Sequence, residues 1–260
     1  MTAPPMLTVR DVKKRFGGIQ ALDGVDLSLS RGEFVGIIGP NGSGKTTLFN
    51  VITGIYRPDR GEIAMEGKDL VGLPPHRINR MGIVRTFQNI RLFRNLTVAD
   101  NVRIARHPHV RYGFLSAVAR TGSFDRFERE LREDVEEFLS IFSLASLRDE
   151  KAGSLPYGEQ KKLEIARALA SRPKILLLDE PAAGMNPSEV GRLMDFIREI
   201  RERFRLTILL IEHRMRVVMG LCERVVVMDF GQVIARGLPR EIRAVPRVLE
   251  AYLGKGPGME

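Results

Sequence analysis

The chain has 260 residues, of which 43% are hydrophobic, 28% charged and 7% aromatic. This composition excludes a disordered chain and predicts a globular protein with a substantial core. The net charge is +9, but basic residues are interspersed with carboxylates, and there is no long basic tail, zinc-ligand spacing or aromatic–basic RNA motif. A basic surface equally suits anionic lipid headgroups or bound nucleotide, so charge alone does not identify the partner. Without a nucleic-acid-binding motif, we expect no nucleic-acid partner.

The single cysteine, Cys222, excludes a disulfide within the chain, and its apolar neighbours predict a small buried side chain. No apolar run approaches the roughly 20 residues of a membrane-spanning helix. The amino terminus lacks the pattern of a signal peptide. We expect a chain that is soluble by itself and works in the cytoplasm.

Strand-like runs and glycine turns alternate near the start of the chain. Residues 7–10 and 25–29 alternate apolar and polar side chains with the period of a half-buried strand. Phe34–Ile38 is apolar throughout, as expected for a strand buried on both faces of a parallel sheet. A glycine-rich loop follows, and residues 46–55 have the pattern of a helix.

The loop between that strand and that helix has the pattern Gly, four residues, Gly-Lys-Ser/Thr, which binds nucleotide phosphates. Its glycines let backbone N–H groups point at the phosphates, and the helix N-terminus adds positive potential. Lys45 is predicted to contact the β- and γ-phosphates, Thr46 to ligate Mg²⁺, and Thr47 to reach the α-phosphate side. The predicted nucleotide-binding residues here are Gly39, Pro40, Asn41, Gly42, Ser43, Gly44, Lys45, Thr46 and Thr47.

A different pattern occupies the middle of the chain. Strand-like runs are absent from about residue 95 to residue 152, and apolar residues from Phe124 to Phe142 recur at helical spacing, which indicates core packing. We predict an inserted helical lobe over 91–152. It interrupts an α/β core formed by 1–90 and 153–254, and a short tail covers 255–260.

Strand–helix alternation resumes after Gly158. We predict a helix over about 159–170, a strand over 174–178, a helix after Pro187, and strands over 206–211, 225–228 and 232–235. Such alternation predicts an α/β fold in which helices cover both faces of a parallel sheet.

Polar residues follow several of these strands. Asp179 and Glu180 end the strand at 174–178, and the ligand site of an α/β sheet lies at the carboxyl ends of its strands, so both acids can face the loop around Lys45. Asp179 suits an Mg²⁺ role through a bound water, and Glu180 suits polarisation of an attacking water. Gln88 is predicted to ligate Mg²⁺ or the water, and His213 to hydrogen-bond the γ-phosphate. Taken alone, Gln88 and His213 fit surface positions as well, and only their order along the chain favours these roles.

The order of these segments resembles that of the ABC ATPase family over almost the whole chain. Residues 39–47 are similar to its Walker A loop, Gln88 to its Q-loop, 178–181 to its Walker B segment, 182–186 to its D-loop and His213 to its switch histidine. The resemblance implies a P-loop NTPase (RecA-like) parallel-sheet core with an antiparallel β subdomain and an inserted helical subdomain.

Residues 155–160, Leu-Pro-Tyr-Gly-Glu-Gln, occupy the place of the family's LSGGQ signature. The resemblance implies that Tyr157, Gly158 and Glu159 contact nucleotide bound to an opposing subunit. Pro156 replaces the signature serine, so backbone N–H groups must replace its hydroxyl, and Asn186 replaces the D-loop aspartate. Phe16 resembles the adenine-stacking aromatic, although a core phenylalanine on an edge strand explains it about equally well.

More narrowly, residues 155–160, 180–187, 210–213 and 248–254 resemble the LivG-type branch of the family, which energises importers of branched-chain amino acids. This implies an ATPase that uses ATP and Mg²⁺ and pairs with a second ATP-binding subunit, either identical or a sister chain. It further implies permease subunits, an indirect link to a substrate-binding protein, and a peripheral position on the cytoplasmic side of the cell membrane.

Other functions stay open at this point. A urea or amide importer and a lipopolysaccharide exporter are close relatives of the same type. A soluble ABC ATPase acting on ribosomes or DNA usually has two cassettes or a long coiled-coil insertion, and this chain has neither. The signature segment, Gln88 and His213 argue against a P-loop kinase or GTPase. His107 and His109 have no Cys or acidic cluster nearby in the sequence, so we interpret them as surface or permease-facing residues.

Overall fold

The computed structural model describes residues 4–88, 90–106, 122–242 and 244–253. His107, His109 and the tail at 255–260 lie outside the described residues. The chain divides into two compact units. The first comprises Met1–Arg85 and Lys174–Glu260, and the second comprises Thr86–Pro173.

The bounds of the strands and helices, in chain order, are as follows. The strands are β1 (Leu7–Phe16), β2 (Ile19–Leu29), β3 (Phe34–Ile38), β4 (Arg60–Met65), β5 (Lys68–Asp69), β6 (Ile83–Arg85), β7 (Ile175–Asp179), β8 (Thr207–Ile211), β9 (Arg224–Asp229) and β10 (Gln232–Gly237). The helices are α1 (Lys45–Ile52), α2 (Pro75–Met81), α3 (Val98–Arg106), α4 (Gly122–Ile141), α5 (Tyr157–Ala170), α6 (Pro187–Phe204), α7 (Met215–Leu221), α8 (Pro239–Ile242) and α9 (Pro246–Leu253).

The first unit contains a six-stranded sheet with the order β10-β9-β3-β8-β7-β6. All neighbouring strands are parallel except β10, which runs antiparallel to β9. Every residue of β3, β7 and β8 is buried, as the continuous apolar runs predicted. Because β3, β7 and β8 are parallel, the residues that follow each of them emerge at one edge of the sheet.

A second, antiparallel sheet in the same unit has the order β2-β1-β4-β5. Its buried side chains share one core cluster with α1 and with alternate residues of the parallel sheet, including Val35, Ile37 and Leu177. The opposite face of β3 packs on the α7 segment, where a Cβ added at Gly36 would lie 2.8 Å from the Cys222 sulfur. Cys222 is only 7% exposed, which confirms the predicted buried thiol.

The second unit is helical, and α3 packs against both α4 and α5. The predicted apolar stripe of α4 is buried from Leu131 to Leu139 and continues to Phe142, so its interpretation as core packing is confirmed for these residues. This compact unit also takes in α5, because α5 packs on α3 and α4. None of the helices in the described part of the chain has the length and hydrophobicity needed to cross a bilayer.

Candidate functional site

The glycine-rich loop connects the carboxyl end of β3 to α1 and is held from behind by the turn between β9 and β10. The Gly231 N–H donates to the Ser43 carbonyl at 3.1 Å. A Cβ at Gly39 would lie 2.1 Å from the Met228 carbonyl oxygen, and Gly39 has a φ of +151°. Only glycine tolerates both constraints, so the loop path is fixed by the sheet behind it.

Lys45 begins α1 with its side chain folded over the loop, and the residue is 5% exposed. Its ammonium donates to the carbonyl oxygens of Gly39 and Pro40, both at 2.8 Å, and to the Ser43 hydroxyl at 3.3 Å. Burial lowers the pKa of Lys45 from its ordinary value, and the nearby carboxylates of Glu180 and Asp179 partly offset this shift. The cation, the loop and both acids therefore form one electrostatic cluster.

The outer side of the loop is open. Asn41, Gly42 and Thr46 are exposed, and Thr47 is half-buried. A cavity of about 620 Å³ adjoins residues 40–43 of the loop, the Asp229–Phe230 turn and one face of α9. The predicted phosphate-binding residues are thus brought together on an accessible surface of the first unit.

Glu180 and His213 meet at the edge of the parallel sheet where β7 and β8 end. Oε1 of Glu180 lies 2.7 Å from Nε2 of His213. Glu180 has a φ of +45°, and its N–H donates to the Ile211 carbonyl at 2.9 Å. A left-handed backbone at a non-glycine residue costs about 1–3 kcal/mol and is concentrated at functional sites. Two of the residues predicted to be catalytic, Glu180 and His213, are thus brought together at this edge of the sheet.

Glu212 has a positioning role that the sequence analysis missed. The residue is 2% exposed, and its carboxylate accepts three backbone N–H bonds: from Ala182 at 3.0 Å, from His213 at 3.0 Å and from Arg214 at 3.1 Å. It ties the turn after β7 to the segment after β8, which carry Glu180 and His213 respectively. A charged residue directly after an apolar strand was the only signal in the sequence.

Arg85 was also missed. It ends β6, beside β7, and one arm of its guanidinium lies 2.6 Å from Oδ2 of Asp179. The other arm donates to the side-chain oxygen of Asn50 in α1 at 2.6 Å. Nothing in the sequence distinguishes this arginine from the other basic residues, because the contact depends on the pairing of β6 with β7.

The acidic groups fit a magnesium ion bound together with nucleotide. The described residues contain no cluster of three His, Cys, Asp or Glu side chains able to hold a metal by themselves. Mg²⁺ usually takes one or two protein oxygens and completes its shell with water and phosphate oxygens. Asp179 at the end of β7 and the exposed Thr46 hydroxyl provide oxygens of this kind.

Not all of the predicted site residues belong to the first unit. Gln88 and the signature residues Tyr157, Gly158 and Glu159 belong to the second unit. There the Lys161 ammonium lies 3.3 Å from both the Gln88 carbonyl and the Glu164 carboxylate, and the Lys161–Glu164 pair is buried. Pro156 precedes α5 as its N-cap, and α5 has no side-chain cap.

Asn186 and Phe16 are both in the first unit. Asn186 caps α6, with Oδ1 accepting from the N–H groups of Ser188 and Glu189 at 3.0 Å. Phe16 ends β1, which is an inner strand, and is 41% exposed. The interpretation as a core phenylalanine on an edge strand is therefore wrong. The Phe16 ring makes an edge contact with Tyr56, with ring centroids 5.0 Å apart.

This fold, with its phosphate loop between β3 and α1 and two acids at the end of β7, defines the chain as a P-loop NTPase. The sequence profile of the ABC transporter family matches residues 22–183, and a profile described as branched-chain amino acid ATP-binding cassette transporter matches 232–257. The chain therefore belongs to the ABC transporter family, and the predicted fold class and ATPase class are confirmed.

Individual relatives agree with this assignment. The chain is 45% identical over 251 residues to BraF of Pseudomonas aeruginosa and to LivG of Escherichia coli strain K12. Both are high-affinity branched-chain amino acid transport ATP-binding proteins, and each match covers 96% of this chain and 98% of the relative. The structure of the ADP conformation of MJ1267, an ATP-binding cassette of an ABC transporter, superposes with a TM-score of 0.84 at 35% identity and covers 97% of this chain and 100% of that one. The predicted resemblance to the LivG-type branch is confirmed.

Proposed function

We propose that this chain binds and hydrolyses ATP to power an importer of branched-chain amino acids. The proposal of ATP hydrolysis rests on the 2.7 Å contact between Glu180 and His213, in the same cluster as Lys45. The cargo is supported by the names of the relatives, which match over nearly their whole length, and by the branched-chain profile at the carboxyl end of the chain.

The proposed mechanism assigns each polar group one task. Lys45 leaves the loop carbonyls and donates to the β- and γ-phosphates, where the N-terminus of α1 also favours anions. Thr46 and Asp179 would hold Mg²⁺, which would supply positive charge next to the phosphate oxygens. Glu180 accepts a hydrogen bond from the attacking water and polarises it, and His213 donates to the γ-phosphate once nucleotide is bound.

Two copies, or this chain and a sister subunit, complete the site in this proposal. The first turn of α5 has no side-chain cap, and the N-terminus of a helix favours an anion. A Cβ at Gly158 would meet no described atom within 4 Å, so the fold of the chain does not itself require glycine there. This open side of the helix start leaves room for close approach of the γ-phosphate on an opposing subunit. Backbone N–H groups of Tyr157 and Gly158 then replace the hydroxyl that Pro156 lacks.

Coupling to the membrane uses the second unit. The backbone around Gln88 is linked to α5 by the buried Lys161–Glu164 pair, with Glu164 accepting from the N–H groups of Phe87 and Arg91 at 3.4 Å. We propose that this link carries the nucleotide state at Gln88 to permease subunits. The chain is then peripheral on the cytoplasmic side of the membrane and reaches a substrate-binding protein only through the permease.

The test of ATP hydrolysis is Glu180→Gln, which keeps the shape of the side chain but removes its charge. We expect ATP affinity to stay within about twofold and kcat to fall by about 100-fold or more, as for loss of a general base. The variant is expected to accumulate as an ATP-bound dimer in size-exclusion chromatography with light scattering. Glu199→Gln, an exposed change on α6, is the matched control. Rapid turnover by Glu180→Gln would contradict the role of Glu180.

The cargo is tested separately with the assembled transporter in liposomes. We expect leucine, isoleucine or valine, presented with the substrate-binding protein, to stimulate ATP hydrolysis and to accumulate inside. Urea, amides and basic amino acids serve as comparison substrates. Stimulation by urea alone would replace the proposed cargo without affecting the assignment of the hydrolytic residues.

A further inference from the structure

Arg85 and Asp179 form an ion pair that is almost completely buried, with each side chain 5% exposed. The guanidinium contacts Oδ2 of the Asp179 carboxylate at 2.6 Å. The second arm of Arg85 is fixed by Asn50, and the guanidinium carbon lies 5.3 Å from the centre of the Phe49 ring. The two hydrogen bonds and the ring contact thus hold the guanidinium between β7 and α1.

Stability alone is a poor explanation for this arrangement. Buried ion pairs contribute little net stability, because the desolvation of both charges offsets their attraction, and apolar pairs of similar volume often replace them without loss. The planar fork of arginine differs from the point charge of lysine in that it fixes the orientation of a carboxylate. Asn50 is five residues beyond Lys45 on the helix that begins at the phosphate loop. Arg85 therefore connects the acid at the end of β7 directly to the phosphate-binding helix.

We propose that Arg85 is a positioning residue for the magnesium site, a role that rests on the proposed function of Asp179. By fixing Oδ2, Arg85 stops the carboxylate from rotating about its terminal torsion and leaves Oδ1 as the oxygen available to a metal or its water. The hydrogen bond to Asn50 fixes the guanidinium relative to α1, so the Asp179 carboxylate keeps a constant position relative to the phosphate loop. Groups that orient metal ligands in this way typically contribute about 10–100-fold to metal affinity.

The decisive substitution is Arg85→Lys. Removing the positive charge would have two opposite effects, because it frees the carboxylate to rotate but also relieves repulsion of the incoming cation. Lysine keeps the charge and cannot contact Asp179 and Asn50 in one plane, so it isolates the orienting effect. The measurement is the equilibrium affinity of a fluorescent, non-hydrolysable ATP analogue, titrated once in Mg²⁺ and once in EDTA. The ratio of the two affinities reports metal binding without turnover.

We expect the affinity in EDTA to stay within about twofold and the gain from Mg²⁺ to fall about 10-fold. An equal loss in EDTA and in Mg²⁺ would show that Arg85 only supports the fold of the loop, and an unchanged ratio would show no role at the metal. Either result overturns the proposal. If Arg85→Lys does not fold, Asn50→Ala decides, because it removes only the second tether and is expected to lower the gain about threefold.

Two control variants separate this proposal from the one on which it rests. Asp179→Asn should abolish the gain from Mg²⁺, and if it does not, the metal role of Asp179 itself is wrong. If Asp179→Asn removes the gain and Arg85→Lys keeps it, only the role of Arg85 fails. Arg224→Lys is the matched control: Arg224 pairs with Glu33 at 2.7 Å in the same unit, near the amino ends of the parallel strands, and should leave the ratio unchanged.

Discussion

The N-cap of α6 gives a prediction whose magnitude follows directly from the structure. Asn186 stands in the D-loop segment, and its Oδ1 accepts two backbone N–H bonds while Glu189 accepts from the Asn186 N–H at 2.8 Å, which together form a capping box. Asn186→Ala keeps the Glu189 contact and loses the other two. Because the site is exposed, water replaces part of what is lost, and we expect a cost of about 1 kcal/mol.

For a protein of this size that cost corresponds to a decrease in Tm of about 2–4 °C. Asn186→Asp should behave differently, because aspartate caps as well as asparagine and its charge interacts favourably with the N-terminus of an 18-residue helix. Its Tm is expected to equal or exceed that of the wild type. Thermal unfolding without nucleotide, followed by circular dichroism, measures all three proteins, and Ser188→Ala serves as the control.

The reasoning is refuted if Asn186→Ala unfolds at the temperature of the Ser188→Ala control, or if Asn186→Asp is destabilised as much as Asn186→Ala. A confirmed result has a practical use. Since Asn186→Asp leaves the helix intact, any change that it causes in ATP hydrolysis must come from the added charge in the D-loop segment, and not from local unfolding.

Two further predictions concern the loop and the core. Gly39→Ala should destabilise the protein by about 3 kcal/mol or more and abolish nucleotide binding, because its Cβ would overlap the Met228 carbonyl. Gly42→Ala, where φ is +83° but nothing described lies within 4 Å of the added Cβ, should cost only about 1–2 kcal/mol; equal losses in urea unfolding would contradict this difference. Burial raises the pKa of Cys222 from 9.0 to about 12, so the folded protein should react with a thiol reagent at pH 8 far more slowly than the unfolded chain. Fast modification of the folded protein would contradict this and show that the thiol is accessible. The raised pKa of Cys222 also contributes to the free energy of unfolding below about pH 9, and this contribution is lost as the pH rises towards 12.

Much of the core could be predicted because its signals are local. The buried strands β3, β7 and β8 are apolar apart from Asp179 and Thr207, and the phosphate loop is a short motif between β3 and α1. The helix after the loop ends at Ile52, three residues before the predicted end, because Gly54 adopts a φ of +72° there. β1 and β2 are longer than predicted, since bulges let their pairing continue across residues that break the apolar alternation.

The features that were missed depend on contacts between distant segments. Arg85 acquires its contact with Asp179 only when β6 pairs beside β7, and Glu212 acquires its partners only when β7 and β8 lie side by side. Apolar periodicity does not report such pairings. The cap at Asn186 was different, because Asn-Pro-Ser-Glu is a local N-terminal helix signal and could have been identified from the sequence.

The buried carboxylate of Glu212 constrains how this edge of the sheet can move. The Glu212 carboxylate accepts from the N–H groups of Ala182 and His213. If the Ala182 turn and the His213 segment shifted separately, this buried charge would lose a hydrogen bond. A neighbouring molecule that displaces the exposed turn at Gly184 would therefore displace the histidine by a similar amount. We therefore expect the two segments to move together, so that a contact made at the exposed turn also changes the position of His213.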